Sequence, residues 1–219
     1  MRKKVGVILS GCGVYDGAEI AESVITLLTL DRAGVAYECL APDIDQMHVI
    51  NHLTGEVEAG ETRNVLVEAA RIARGKVKNL ALANGDDYDA LFFPGGFGAA
   101  KNLCDFAVKG ADCTVHPEVE RLCREVASAK KPIGFICIAP AMIPKIFGPG
   151  SKVTIGNEID SAHQINAMGG VHINCPVQDI VVDEKLKVVS TPAYMLAGRI
   201  SEAAEGIEKL VREVMRMTA

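Results

Sequence analysis

Cys137 is set apart from the other cysteines by its surroundings. It lies in Lys131-Pro-Ile-Gly-Phe-Ile-Cys-Ile-Ala-Pro-Ala-Met-Ile-Pro-Lys145. There Ile133 to Ile136, bounded by Pro132, reads as a short buried strand, and Ala141 to Ile143 as helix-compatible chain. Almost no loop fits between them, so Cys137 falls on a tight strand-to-helix turn, the cysteine counterpart of a nucleophile elbow. A thiol there projects above the sheet edge beside a helix N-terminus, a position expected to depress its pKa. The chemistry implied is attack on an electrophilic carbon. The competing reading is a buried apolar cysteine, a common fate for free Cys, and the junction favours the nucleophile.

A nucleophile needs a proton-transfer partner and a place for developing negative charge. Helix one is expected from near Gly17 and carries Glu19 and Glu22 ahead of Val24, Ile25, Leu27, Leu28 and Leu30. A carboxylate entering so apolar a helix is costly unless paired or protonated, and Glu22 is the deeper of the two. Both would otherwise simply complement the helix dipole. Pro94-Gly95-Gly96 follows the buried run Ala90 to Phe93. Its amides, with that of Ile138 just after the cysteine, are suited to an oxyanion. In a parallel sheet the loop from Gly11 to Gly17, the Gly95-Gly96 turn and Cys137 all lie at the carboxyl ends of strands.

Other combinations lead to weaker chemistry. His48 and His52 are four residues apart, but residue 49 is Val rather than the Glu of His-Glu-x-x-His, so they read as polar residues of an insertion rather than metal ligands. His163 and His172 flank Gly169-Gly170 without forming a ligand set. Gly11-x-Gly13 lacks the third glycine of a dinucleotide fingerprint. Cys12 between turn glycines reads as a small loop residue, with the resolving thiol of a redox pair as the alternative.

The elements that must position these residues alternate along the chain. Strands are expected at Lys4–Ser10, Val35–Ala41, Ala90–Phe93, Ile133–Ile136, Lys152–Ile155, Asp179–Val182 and Lys187–Ser190. Helices are expected at Ala18–Ala33, Glu61–Arg74, Pro117–Ala129 (capped by Thr114 or His116) and from Ser201 onward. Residues 43–60 and 105–115 read as insertions. This alternation predicts one α/β domain, a mostly parallel sheet with helices on both faces. The 219 residues are 49% hydrophobic with a net charge of −5 and no large Lys/Arg cluster, which argues against nucleic acid and anionic membranes as main partners. No apolar run reaches the ~20 residues of a membrane span. The basic start and the run Val5–Leu9 are too short for a secretory signal. Seven scattered cysteines with no Cys-x-x-Cys pair predict a reducing compartment, by default the cytoplasm.

Five segments carry a resemblance across nearly the whole chain: Gly6-Val-Ile-Leu-Ser-Gly-Cys-Gly-Val-Tyr-Asp-Gly-Ala-Glu19, Ile50-Asn-His-Leu-Thr-Gly55, Phe93-Pro-Gly-Gly-Phe-Gly-Ala-Ala-Lys-Asn-Leu103, Gly134-Phe-Ile-Cys-Ile-Ala-Pro-Ala-Met142 and Thr191-Pro-Ala-Tyr-Met195. Together they resemble the ElbB glyoxalase family of the PfpI-like superfamily, within the class I glutamine amidotransferase-like fold. The resemblance implies a flavodoxin-like three-layer sandwich, with Cys137 as nucleophile, Glu22 as acid/base, and the amides of Gly96 and Ile138 as oxyanion donors. It also implies a homodimer.

The chain departs from the superfamily in its histidine. Many members have His directly after the cysteine, where this chain has Ile138. Others have it after a strand, where Gly156 stands. Amidotransferases need His-x-Glu near the C-terminus, where Ser190-Thr-Pro-Ala-Tyr194 stands. Glutamine hydrolysis and peptidase activity are therefore disfavoured. The resemblance implies a glyoxalase acting on small 2-oxoaldehydes without metal, glutathione or other cofactor, with deglycase activity from the same machinery. A thiol redox sensor and a non-catalytic binding module are the alternatives.

Overall fold

The structure is a computed structural model that describes residues 3–219; Met1 and Arg2 of the basic start lie outside the described residues. In chain order the elements are β1 (Lys4–Ile8), α1 (Ile20–Arg32), β2 (Ala36–Ala41), α2 (Val65–Ile72), β3 (Val77–Asn79), β4 (Ala90–Phe93), α3 (Phe97–Lys101), α4 (Phe106–Lys109) and α5 (Pro117–Ser128). They continue with β5 (Ile133–Ile136), α6 (Ile143–Phe147), β6 (Lys152–Val153), α7 (Ile159–Ala167), β7 (Val171–His172), β8 (Val181–Asp183), β9 (Val188–Thr191) and α8 (Ile200–Met217).

Seven strands form one sheet in the order β3-β2-β1-β4-β5-β9-β8, parallel except where β8 returns antiparallel to β9. Strands β6 and β7 make a separate parallel pair. This is the expected flavodoxin-like α/β fold. The direction of winding reverses between β1 and β4. The crevice at the carboxyl ends of these two strands is where such sheets bind ligands.

Side chains alternate across the strands and so build two apolar layers. Ile8, Leu40, Leu91, Phe93, Ile133 and Phe135 face α5 and the segment after β5, meeting Val119, Leu122 and Val126. Val5, Val7, Leu9, Phe92 and Val189 face α1, α2 and α8, meeting Leu30, Ala69, Ile207, Leu210 and Val214. Helix α8 packs closely enough that a Cβ on Gly134 of β5 would meet Leu210 at 2.7 Å.

Several boundaries differ from the sequence reading. Helix α1 starts at Ile20 rather than Ala18 because Glu19 is its N-cap. Helix α2 spans Val65–Ile72 rather than Glu61–Arg74, since the Asn64 side chain caps it and Asp45 bridges to Asn64. His116, one of the two expected caps of α5, accepts the Glu118 N–H through Nδ1 at 3.2 Å. Residues 43–60 fold back on themselves through an Ile50–Val57 bridge, and residues 105–115 contain α4 and a following 3₁₀ turn. No helix among the described residues is long and apolar enough to cross a membrane.

Candidate active site

The turn after β5 holds Cys137 in a left-handed backbone conformation, φ 64°. For a residue with a Cβ this costs about 1–3 kcal/mol, a penalty tolerated where the surroundings fix it. Two neighbours fix it here. The Cys137 N–H donates to Thr191 O at 3.0 Å, extending the β5–β9 ladder by one rung. The chain beyond turns at once into a 3₁₀ segment, Ala139–Met142. The elbow expected from the sequence is present.

Its electrostatics are not as expected. The first α-helical residue after Cys137 is Ile143, six positions on, and α6 is only five residues long. Only short helical segments begin beside the sulfur, the 3₁₀ segment capped by Ile138 and the five-residue α3 capped by Gly96, and the expected depression of its pKa is corrected. Burial and the Glu22 charge push the Cys137 thiol well above its ordinary value, opposed by the amides of Gly96 and Ile138. Burial pushes the other six thiols up as well. What distinguishes Cys137 is access, because it alone among the cysteines lines the cavity at this end of the sheet.

Glu22 is 0% exposed, in the first turn of α1. One carboxyl oxygen accepts the Gly95 N–H at 2.8 Å and the other the Tyr194 N–H at 3.2 Å. The carboxyl also hydrogen-bonds the Cys137 thiol. Burial first, and then the charge of Glu19, raise its pKa to about 8. Glu22 and Cys137 thus form one unit with two amides at each end, Gly95 and Tyr194 on the carboxyl and Gly96 and Ile138 on the sulfur. The two groups are coupled, and the carboxyl is the more acidic of them, so Glu22 ionises first and is the group placed to accept the thiol proton.

The glycine turn is required sterically. A Cβ on Gly95 would overlap Cys137 Cβ and lie 2.7 Å from Glu22 Oε2 and 2.9 Å from Cys137 Sγ. Gly96 has φ 91° and presses against the backbone of Gly17 to Glu19. The backbone of that segment answers: Glu19 N–H donates to Gly95 O at 2.9 Å and Gly98 N–H to Gly17 O at 2.9 Å. The Gly11–Gly17 loop, the glycine turn and the cysteine converge as the sequence indicated.

Glu19 takes a capping role. Its carboxylate accepts the Glu22 N–H at 2.6 Å, and it also lines the cavity. Asn102 ties the walls together in a way the sequence did not reveal. Its Nδ2 donates to Ser10 O and Asp16 O, and its Oδ1 accepts the Met47 N–H at 2.9 Å. The cavity, about 580 Å³, also draws on Phe106, Glu158, Asp160, Ser161, Gln164 and Tyr194. Helix α7 was not foreseen, because Ile-Asp-Ser-Ala-His-Gln-Ile-Asn-Ala buries only Ile165 and carries little apolar periodicity. The one signal for it was Glu158, whose side chain caps the helix.

The remaining candidates fall away from the site. His52 Nε2 accepts the Tyr15 N–H at 3.1 Å and Nδ1 lies 3.1 Å from Ile50 O, so both ring nitrogens are engaged in pinning the loop after β1. Among the described residues no group of three or more His, Cys, Asp or Glu is placed to hold a metal. No histidine lines the cavity, and neither does Cys12.

Three proteins place this geometry among known ones. The chain is 47% identical to the rat ES1 protein homolog, mitochondrial, over 226 residues, 99% of this chain and 85% of that protein. It is 47% identical to human glutamine amidotransferase-like class 1 domain-containing protein 3, mitochondrial, over 224 residues, 98% and 83% of the two. A crystal structure of an isoprenoid biosynthesis protein with amidotransferase-like domain from Ehrlichia chaffeensis superposes with a TM-score of 0.92 at 38% identity, covering 99% of this chain and 100% of that one. More distantly, Drosophila melanogaster DJ-1beta shares the fold, with a TM-score of 0.58 at 19% identity over 99% and 96% of the two chains. No family model matches the chain.

Two expectations change with these relatives. They uphold the class I glutamine amidotransferase-like assignment but carry the ES1 name rather than the ElbB name. The cytoplasmic location is corrected, since the rat, human and zebrafish relatives are all named mitochondrial. Cysteine usage misled because unpaired thiols call only for a reducing environment and do not single out one compartment.

Proposed function

This chain belongs to the ES1 family of glutamine amidotransferase-like class 1 domain proteins, and from that premise we propose that it is a cofactor-independent glyoxalase of the ElbB type. The observation that carries the proposal is the Cys137 thiol on the wall of a cavity, hydrogen-bonded from behind to the buried Glu22 carboxyl. A carboxyl with a pKa of about 8 is mostly protonated at neutral pH yet close enough to its pKa to exchange its proton readily. The absence of a histidine from the cavity lining supports isomerisation over glutamine hydrolysis, because no imidazole is placed to pass a proton to a leaving amine.

In the proposed reaction Glu22, in its carboxylate form, takes the Cys137 proton as the sulfur adds to the aldehyde carbon of glyoxal, and then gives that proton to the resulting alkoxide. The amides of Gly96 and Ile138, which already face the sulfur, stabilise that oxygen as it develops charge. Glu22, now a carboxylate, takes the proton from the thiohemiacetal carbon and returns it to the neighbouring carbon through an enediol. The first carbon is thereby oxidised to a thioester and the second reduced to an alcohol, with no external oxidant. Water cleaves the thioester, releasing glycolate and the free thiol. A homodimer and a secondary deglycase activity complete the proposal, the latter because a thiohemiacetal and a glycation aminocarbinol present the same carbon to the sulfur.

Steady-state formation of glycolate from glyoxal, measured without glutathione and in the presence of chelator, tests this reading. The expected result is sustained turnover that Cys137→Ser abolishes. Stoichiometric loss of the thiol with no glycolate, or turnover unchanged in Cys137→Ser, overturns it.

A further inference from the structure

The cavity above Cys137 is larger than the proposed reaction requires. Glyoxal has four heavy atoms, on the order of 100 Å³ at the ~30 Å³ a water molecule takes in the liquid, whereas the cavity holds about 580 Å³. That volume lies in the range of sites that enclose much larger ligands. The surplus space has apolar walls from Val14, Phe97, Ala100, Phe106, Ile138 and Met195. Part of this wall comes from elements that do not touch the Cys-Glu pair. Gln164 of α7 accepts the Ala111 N–H at 2.9 Å and so fastens the 105–115 segment across the cavity.

The charges on the lining have one sign. Apart from Cys137 and Tyr194, its ionisable side chains are Glu19, Glu158 and Asp160, with no Lys, Arg or His. Glu158 is held in its charged form by the hydroxyl and amide of Ser161 and the amide of Asp160, which pull its carboxyl below the ordinary value. His163 on α7 faces Glu158 from outside the lining. Lys101, close in sequence to Phe97, has its ammonium bonded to Tyr15 O at 2.9 Å and stacked 5.5 Å from the Phe97 ring centre. An anionic substrate would meet no cation within the cavity.

We propose that the site takes a carbonyl compound with an apolar body of at least phenyl size and no negative charge, and that Glu158 and Asp160 are specificity-determining residues favouring a cationic over an anionic end. The inference rests on Cys137 being the reactive group, as in the function proposed above. A cleft with low-dielectric walls and carboxylates on its lining concentrates cations and repels anions, an effect that weakens with salt.

Alkylation of Cys137 in the full chain reads this directly and needs no turnover. The probes are iodoacetate, iodoacetamide, N-phenyl iodoacetamide and a trimethylammonium-ethyl iodoacetamide. Cys137 labelling is followed by peptide mapping, and each rate is normalised to that of N-acetylcysteine amide. The phenyl reagent is expected to exceed iodoacetamide by about tenfold, and the cation to exceed iodoacetate by about tenfold at low salt. Asp160→Asn, which leaves the α7 cap intact, and Glu158→Gln, which can still accept through its amide oxygen, should each lower the cation/anion ratio about two- to threefold. Neither should change the ratio of the two neutral reagents.

Equal normalised rates for all four reagents, or a cation/anion ratio unchanged in both variants, overturns the proposal. Failure of Cys137 to react with any reagent overturns it together with the nucleophile assignment. Selective labelling with no glycolate formed from glyoxal defeats the glyoxalase reading and leaves this substrate class standing. Turnover without selectivity does the reverse.

Discussion

Placing the Glu22 carboxyl out of contact with solvent makes the molecule depend on pH in two separate ways. The first is stability. A carboxyl raised from its ordinary value to about 8 binds its proton more tightly in the folded than in the unfolded chain. Its contribution is therefore most favourable below about pH 4.5 and declines as pH rises toward 8, by an amount on the order of a few kcal/mol. Glu22→Gln removes that titration but leaves an NH₂ facing one of the two amides that now bond oxygen. The difference in Tm between variant and parent should thus be most unfavourable near pH 5 and move upward through pH 8, as read by thermal melts across that range. The second dependence is reactivity. Because the Glu22 charge helps to hold the Cys137 thiol high, the rate of Cys137 alkylation should keep climbing above pH 8 in the parent, and its midpoint should fall in Glu22→Gln. Turnover in the same variant should drop about 10²–10⁴-fold, the usual contribution of an acid–base group. At this scale the sequence and its resemblance singled out Cys137 and Glu22, which the structure brings into contact, but not their protonation. Cys137 was legible from an apolar run with no loop after it. Its pKa was not, because the local pattern does not show how completely the sulfur is buried or that the Glu22 carboxyl lies against it, and these outweigh the amides of Gly96 and Ile138.

The glycine turn after β4 acts at the scale of an element, and its two residues are constrained for different reasons. Gly95 has no room, since a methyl group there would wedge between Glu22 and Cys137. Gly96 has little room and an unusual backbone angle as well. Gly95→Ala should therefore abolish measurable turnover even in chains that fold. Gly150→Ala, at φ 84° with nothing near its Cβ, should cost only about 1–2 kcal/mol in urea unfolding and leave turnover intact. The start of α1 shows how close the sequence reading came. It expected helix from Ala18 and so set Glu19 and Glu22 one turn apart within it, whereas Glu19 caps the helix and Glu22 lies inside its first turn. β3 and α7 escaped for a common reason. Three residues are too few to show alternation, and a helix that buries one side chain shows no stripe. Because α7 forms part of the cavity wall, the reactive pair was readable and the part that selects what enters was not.

At the scale of the whole molecule, the two apolar layers are separable from the chemistry. Leu210 lies under Gly134 on the face opposite the α5 layer and does not line the cavity. Leu210→Ala should destabilise the fold by about 2–5 kcal/mol, measured by denaturant titration, while kcat at a temperature well below melting stays within about twofold of the parent. The alternation of strands and helices made the layered architecture legible, but the return of β8 against β9 could not be read from residues buried alike in either direction. The Tyr194 amide that completes the Glu22 carboxyl has a further consequence. It joins residues 172 positions apart, and Thr191 similarly holds the Cys137 amide. Chains are made from the N-terminus at about 5–20 residues per second. The cysteine thus leaves the ribosome several seconds before the residues that seat it, and for that interval it is an ordinary thiol on an unfinished sheet. Glu22 and Cys137 gain the Tyr194 and Thr191 backbone partners only when β9 docks, so the surroundings that set the protonation of both groups are assembled late in synthesis.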